Sequence, residues 1–191
     1  MNLPNKITLI RICFIPLILF LLLCKSVPNR YFWSLMFFVF ASYTDYLDGY
    51  LARKNGLVTN LGKFLDPLAD KVLIISILVC FVELSLVCSV AVVLIIFREF
   101  MVTSLRLIAI ERGKVISANY YGKIKTVSQM FSVFLIMFSQ GLREIFIRYN
   151  FEGYTYVDLI VKISGAVFWI SSILTVFSGI LYVYYNKDCI K

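Results

Sequence analysis

The sequence contains no histidine, and this absence excludes several common kinds of active site. The usual general base is missing, and so are Ser/His and Cys/His nucleophile pairs and histidine-ligated zinc. Acid–base chemistry must therefore fall to Asp, Glu, Lys, Tyr or Cys. The five cysteines form no CxxC pair and most lie within or beside apolar stretches, where cysteine behaves as a small hydrophobic residue.

Charged residues are also scarce, at 16% of the 191 residues, whereas 61% are hydrophobic and the mean hydropathy is +0.88. A soluble domain of this length would be closer to half apolar. We therefore expect an all-α integral membrane protein with a single domain over residues 1–191. The net charge of +8 suits an anionic lipid surface or phosphate-bearing substrates. It does not favour nucleic acid, because the cations are spread along the chain.

A membrane helix needs about 20 mostly apolar residues, and six stretches of the sequence qualify. We expect no cleaved signal peptide in the first stretch, because Arg11 interrupts it and a small-residue cleavage site is missing. Lysines and arginines near the connections predict that both termini face the cytoplasm, and the lack of a transit peptide favours a bacterial plasma membrane. The predicted transmembrane helices cover residues 7–24, 31–53, 63–84, 86–111, 121–141 and 157–185.

Four aspartates lie in or beside these apolar segments, where ionisable groups are rare unless they have a function. Asp45 and Asp48 are three residues apart, and Asp66 and Asp70 are four apart, so each pair shares one face of a helix. The connection between the two helices is short, so we expect antiparallel neighbours whose acidic faces meet. Four converging carboxylates repel one another unless cations bind, and hard oxygen ligands suit magnesium, manganese or calcium. The structural alternative is that the four aspartates cap helices or form ion pairs.

The aspartates belong to a longer pattern, DYLDGYLAR over residues 45–53 and GKFLDPLAD over residues 62–70, with eight residues between them. This pattern resembles the signature of the CDP-alcohol phosphotransferase family, and every fixed position of that signature is present. The resemblance implies the six-helix membrane fold of that family and displacement of CMP from a CDP-linked lipid or alcohol by a second alcohol. It also implies one or two Mg²⁺ (or Mn²⁺) ions, with Asp45, Asp48 and Asp66 as ligands and Asp70 as both ligand and general base.

The same resemblance implies which residues bind the CDP-lipid. Three small residues would form the floor of the nucleotide pocket, Arg53 would contact a phosphate, and residues of the N-terminal PNKITLIRI segment would complete the site. Arg11 is expected to meet a lipid phosphate, with snorkelling to the headgroups as the alternative. The full set is Asn5, Thr8, Arg11, Asp48, Gly49, Ala52, Arg53, Gly62 and Asp66.

Four cations in the second half of the chain predict the acceptor. Arg98, Arg106, Lys123 and Lys125 flank the cytoplasmic ends of the fourth and fifth predicted helices, and together they suit a dianionic phosphate on the acceptor. The positive-inside rule is the alternative, but it explains Arg98 poorly because long apolar stretches flank this residue. From PNKITLIRI near the N-terminus, through FLDPLADK and REFMVTSLR, to GKIKT with Gln129, the chain also resembles the bacterial glycerol-phosphate phosphatidyltransferases within the family. This implies CDP-diacylglycerol as donor and sn-glycerol 3-phosphate as acceptor, with phosphatidylglycerol phosphate and CMP as products.

Three other readings stay open from the sequence. A cardiolipin synthase of the same superfamily would use phosphatidylglycerol as acceptor. A divalent-cation transporter would place its carboxylates near the middle of the membrane on broken helices, and a structural scaffold would leave the aspartates unexplained. The family resemblance further implies a homodimer embedded in membrane lipid.

Overall fold

The computed structural model describes residues 3–55, 60–111, 120–151 and 154–186. Side chains are described within residues 10–44, 68–69, 71–109, 120, 122–151 and 155–186. All regular structure in this part of the chain is α-helical, as the sequence predicts. The six helices are α1 (Leu3–Leu23), α2 (Arg30–Asn55), α3 (Asn60–Glu83), α4 (Ser89–Glu111), α5 (Tyr120–Arg148) and α6 (Tyr154–Tyr185).

The helices form a closed ring in the order α1, α2, α5, α6, α4 and α3, with α3 also touching α5 across the interior. Among the described residues α1 lies between α2 and α3, which do not contact each other directly there. The predicted direct packing of α2 on α3 is therefore not seen in that part of the chain. The connection from Asn55 to Asn60 is short, so the end of α2 and the start of α3 lie at the same end of the ring.

Helix α5 is longer than predicted, since it continues to Arg148 instead of ending near Gly141. The added turns carry charges, which is why the apolar pattern stops early. They remain helical because Arg148 forms an i,i+4 ion pair with Glu144 at 3.0 Å. Glu144 also accepts a hydrogen bond of 2.8 Å from the backbone N–H of Asn29, which ties the α1–α2 turn to α5.

Small polar side chains hold α5 against α6. The Ser139 and Ser164 hydroxyls lie 3.1 Å apart, and those of Ser128 and Ser171 lie 3.3 Å apart. Ser128, Ser139 and Ser164 also donate to backbone carbonyls three residues earlier in their own helices, so these hydroxyl groups are satisfied away from water. Such small residues let two helices approach closely and link them by hydrogen bonds, as is typical of helices packed in a membrane.

Large apolar side chains cover much of the outer surface of the ring, including Phe97, Trp169 and Ile173, each at least half exposed. Within the described residues, the α5 segment Gly122–Arg148 and the α6 segment Thr155–Tyr185 are long and apolar enough to cross a membrane. A shorter apolar segment, Ile10–Leu23, lies in α1. These features support association with a membrane, and the count of six spans stays a prediction.

Gly141 provides a test of the packing between α2 and α5. A methyl group at this position would lie 2.6 Å from the ring of Phe32, which itself packs edge-on against Phe138. We expect Gly141→Ala to lower the free energy of unfolding by about 1–3 kcal/mol because of overpacking. Thermal unfolding in detergent measures the change. Gly165→Ala is the control, since nothing lies within 4 Å of the added methyl group, and equal behaviour of both variants would contradict the predicted contact.

Candidate functional site

A cavity of about 350 Å³ lies inside the ring and is bordered by five of the six helices, α1 to α5. A second cavity, of about 460 Å³, lies between α3, α4, α5 and α6. The two share four lining residues and therefore form adjoining compartments, which we call the inner and outer compartments. The shared residues are Lys71, Glu99, Arg106 and Thr126.

The inner compartment borders the helix segments that carry the signature aspartates. It is lined by Ser42, three residues before Asp45 on α2, and by Lys71, which directly follows Asp70 on α3. Both aspartate pairs lie in helices, Asp45 and Asp48 in α2 and Asp66 and Asp70 in α3, as the sequence predicts. The side chains of all four aspartates lie outside the described residues.

The predicted CDP-lipid residues fall mostly in the same part of the chain. Arg11 is the one whose side chain is described, and it has no solvent-exposed surface and lines the inner compartment. It does not snorkel to the headgroups, as the alternative reading proposed, because it lies inside the ring. The side chains of the remaining members lie outside the described residues: Asn5, Thr8, Gly49, Ala52, Arg53 and Gly62.

Glu99 on α4 organises the boundary between the two compartments. Its Oε1 accepts a hydrogen bond of 3.1 Å from Arg98 Nη1 and pairs with Lys125 Nζ on α5. Arg98 and Lys125 are 7% and 4% exposed, so this carboxylate neutralises charge at two cations that are almost fully withdrawn from water. Buried ions are tolerated only where such partners satisfy them.

Two further hydrogen bonds link α4, which carries Arg98 and Glu99, to neighbouring helices. Arg98 Nη2 donates to the Ser178 hydroxyl of α6 at 2.9 Å. Lys71 of α3 donates to the Thr103 hydroxyl of α4. The two bonds link α4 to α6 and to α3, so the side chains between the compartments are fixed from several sides.

The four predicted acceptor cations are brought together by the structure. Arg98, Arg106 and Lys123 line the outer compartment, while Arg106 and Lys125 line the inner one. Arg106 and Lys123 are exposed, whereas the other two are buried. The pocket thus has two exposed cations and two buried cations.

The described lining of both compartments is strongly cationic. Glu99 is the one acidic side chain among these lining residues, and it faces six basic ones. Because one carboxylate cannot balance six cations, the arrangement is suited to binding an anion with several oxygen atoms. The six basic residues are Arg11, Lys71, Arg98, Arg106, Lys123 and Lys125.

Several of these contributors were not predicted. Neither Glu99 nor Lys71 belongs to the predicted site residues. Ser178 and Tyr182 of α6, which line the outer compartment, were not singled out. Their positions depend on how α6 packs against α4, and no local pattern in the sequence encodes that packing.

A comparison with models of protein families shows which family the chain belongs to. Residues 1–177 match the model of the CDP-alcohol phosphatidyltransferase family. The chain belongs to this family. The match includes both signature segments and the helices that carry the acceptor cations, so the CDP-alcohol phosphatidyltransferase signature is part of a much longer similarity.

Curated relatives are similar over nearly their whole length. A protein of Bacillus subtilis is 38% identical, covering 100% of this chain and 97% of its own length. One from Rickettsia bellii is also 38% identical, with coverages of 100% and 96%, and one from Haemophilus influenzae is 34% identical, with coverages of 97% and 94%. All three are named CDP-diacylglycerol–glycerol-3-phosphate 3-phosphatidyltransferase.

The donor set on α2 and α3 fits a hard divalent cation. Four carboxylates provide only oxygen ligands, and each pair sits at helical spacing at the same end of the ring. Among the described side chains no group of three Asp, Glu, Cys or His residues could hold a metal ion. The signature aspartates are therefore the candidates, although their side chains lie outside that part of the chain.

Glu99→Gln tests the role of this carboxylate between the two buried cations. Gln keeps the shape but removes the negative charge, which leaves Arg98 and Lys125 as uncompensated like charges. We expect the free energy of unfolding to fall by about 3 kcal/mol, as for one partner removed from a buried ion pair. Denaturation in graded detergent mixtures measures it.

The matched control is Asp158→Asn, which breaks the exposed ion pair between Arg143 and Asp158 at 3.8 Å. Exposed pairs contribute at most about 1 kcal/mol, so this variant should unfold almost as the parent does. A loss for Glu99→Gln no larger than that of the control would show that Glu99 does not hold the cations in place.

Proposed function

We propose that this chain transfers the phosphatidyl group of CDP-diacylglycerol to sn-glycerol 3-phosphate, giving phosphatidylglycerol phosphate and CMP. The observation that carries the proposal is the inner compartment, which borders both aspartate-bearing helices and also contains Arg106 and Lys125. The proposed donor site and the proposed anion site would then adjoin within one cavity. The shared name of the full-length relatives supports the same reaction.

On the donor side, we propose that Asp45, Asp48, Asp66 and Asp70 hold one or two divalent cations, Mg²⁺ or Mn²⁺. Such an ion would neutralise charge on the pyrophosphate and on the departing CMP. Arg53 would contact a phosphate. Arg11 supports this assignment, because it is a fully buried cation that lines the same cavity.

The transfer itself needs a base near the acceptor hydroxyl. We assign this role to Asp70, which takes the proton as the hydroxyl oxygen attacks the phosphorus that bears the diacylglycerol. The new oxygen–phosphorus bond forms as the bond to the CMP oxygen breaks, so no covalent intermediate on the protein is required. Lys71, the next residue in the chain, lines both compartments and supports placing the reaction at their junction.

On the acceptor side, Arg98, Arg106, Lys123 and Lys125 would bind the phosphate of sn-glycerol 3-phosphate. Inositol is neutral and serine is a zwitterion, so neither gains as much from this many cations. Buried Arg98 and Lys125 are held by Glu99, so the pocket is formed before the ligand arrives and less ordering is needed on binding. Exposed Arg106 and Lys123 are free to close on the ligand from the rim.

We further propose that the chain spans a bacterial plasma membrane six times, with the active site and both termini on the cytoplasmic side. The exposed apolar side chains of the ring and the apolar lengths of α5 and α6 support the membrane setting. Cytoplasmic access suits a water-soluble acceptor and the water-soluble product CMP. A homodimer remains part of the proposal on the family resemblance alone.

The decisive experiment is CMP release by the purified protein in detergent with CDP-diacylglycerol and magnesium. We expect release with sn-glycerol 3-phosphate but not with serine, inositol or phosphatidylglycerol, because the pocket is built for a dianion. Removing the divalent ion with a chelator should abolish release, and adding Mg²⁺ or Mn²⁺ should restore it.

Asp70→Asn is the matched negative control, since it keeps the size of the side chain and removes the base. Release with phosphatidylglycerol instead would change the assignment to a cardiolipin synthase. Failure to release CMP with any acceptor, by a protein that is folded, would overturn the proposed reaction.

Arg106→Ala separates acceptor binding from donor binding. Arg106 is exposed and lines both compartments, so its loss should leave the helix packing intact. We expect the KM for sn-glycerol 3-phosphate to rise by roughly 10- to 100-fold, the range for losing a hydrogen bond to a charged group. The KM for CDP-diacylglycerol should change by no more than about twofold, which steady-state kinetics with each substrate varied in turn will measure.

Arg143→Ala is the control for Arg106→Ala, because Arg143 is likewise partly exposed but pairs with Asp158 away from the cavities. It should leave both KM values unchanged. Equal rises in the two KM values of Arg106→Ala would argue against a separate acceptor pocket.

A further inference from the structure

Ser178 and Tyr182 of α6 line the outer compartment, and Gly179 lies beside Ser178 against Arg98 of α4. Ser178, Gly179 and Tyr182 occupy positions i, i+1 and i+4, which share one side of a helix. Ser178 accepts the hydrogen bond from Arg98, and Gly179 leaves room for the Arg98 side chain, whose Cγ would lie 2.7 Å from an added Cβ. This side of α6 is therefore shaped around a buried arginine that already belongs to the acceptor pocket.

Unlike Ser178 and Gly179, Tyr182 makes no contact with the other described residues that explains its place beside the outer compartment. It is 4% exposed and lines the outer compartment, yet its buried hydroxyl has no hydrogen-bond partner among the described residues. Leaving a buried polar group unsatisfied costs about 1–3 kcal/mol, so such groups in a cavity wall indicate a missing partner.

A second group in the same wall has the same deficiency. Arg98 uses Nη1 and Nη2 for Glu99 and Ser178, while its buried Nε has no partner within the described part of the chain. Nε can only donate and therefore requires an acceptor atom, and the Tyr182 hydroxyl can donate to one as well. An anion with several oxygens, which a cationic compartment attracts, would supply acceptor atoms to both groups.

The geometry points to Tyr182 as a ligand of the acceptor: we propose that its hydroxyl donates a hydrogen bond to a phosphate oxygen of the phosphorylated alcohol in the outer compartment. This inference rests on the proposed function, since it adds a residue to the acceptor pocket described there. It also assigns α6 a part in selecting the acceptor. A phosphate monoester has three terminal oxygens and satisfies both donors, whereas a neutral alcohol would leave both hydrogen bonds dependent on weaker acceptors.

The experiment is steady-state kinetics of Tyr182→Phe, which removes only the hydroxyl and retains the ring that packs in the wall. We expect the KM for sn-glycerol 3-phosphate to rise about tenfold, with kcat and the KM for CDP-diacylglycerol within twofold of the parent. Tyr185→Phe is the matched control on the same helix, because Tyr185 is 64% exposed and does not line either compartment. Unchanged kinetics in Tyr182→Phe, with an active parent, would overturn the proposal.

A binding measurement separates this inference from the reaction itself. Inorganic phosphate should raise the thermal unfolding temperature of the parent and of Tyr185→Phe. For Tyr182→Phe, the same rise should require a phosphate concentration about ten times higher. If the parent binds phosphate in this way but releases no CMP, the proposed reaction fails while the role of Tyr182 stands. An identical phosphate dependence in all three proteins would refute the role of Tyr182 even if CMP is released normally.

Discussion

The carboxylate of Glu99 is the interaction on which the described site depends. It lies between Arg98 and Lys125, two cations that the ring has almost completely withdrawn from water. Transferring an isolated ion from water to a protein interior costs several kcal/mol, so neither cation could stay in the cavity wall without this partner. One carboxylate shared between two cations leaves an excess of positive charge. Glu99 thus makes the two buried cations compatible with the folded state, and the remaining positive charge attracts an anionic ligand.

Helix α6 contributes to this balance although it carries no signature residue. Its serines pair with those of α5, which brings α6 close to the ring without a bulky interface. At the far end of the same helix, Ser178 takes one donor of Arg98 and Gly179 makes space for its stem. The position of the buried arginine is thus determined by two helices, α4 and α6, because its own helix alone fixes only its Cα. A change in the packing of α6 should therefore shift Arg98 in the proposed acceptor pocket.

The sequence predicts the helices well because each one is encoded locally, by an apolar stretch that stops at charged or turn-forming residues. It fails at the end of α5, where charges continue the helix through the Glu144–Arg148 pair instead of ending it. The gathering of Arg98, Arg106, Lys123 and Lys125 could be anticipated from helical spacing and charge. The ring order could not, since α1 lies between α2 and α3 in the described residues and only tertiary packing decides this. Tyr182 was missed for the same reason, because an unsatisfied hydroxyl is a property of the folded surroundings.

Under the proposed reaction, two anionic substrates must come within bonding distance, and their mutual repulsion is the main electrostatic obstacle. Two unit charges 4 Å apart interact by about 4 kcal/mol at an effective dielectric constant near 20, and both substrates carry more than one charge. Under the proposal, the charge of each substrate is neutralised in a different way. Carboxylates on α2 and α3 would recruit divalent cations to the pyrophosphate, while lysines and arginines on α4 and α5 would neutralise the acceptor phosphate directly. Divalent ions held by Asp45, Asp48, Asp66 and Asp70 would supply neutralising charge where charge develops on CMP during transfer. The acceptor phosphate keeps its charge throughout, so fixed lysines and arginines suffice for it.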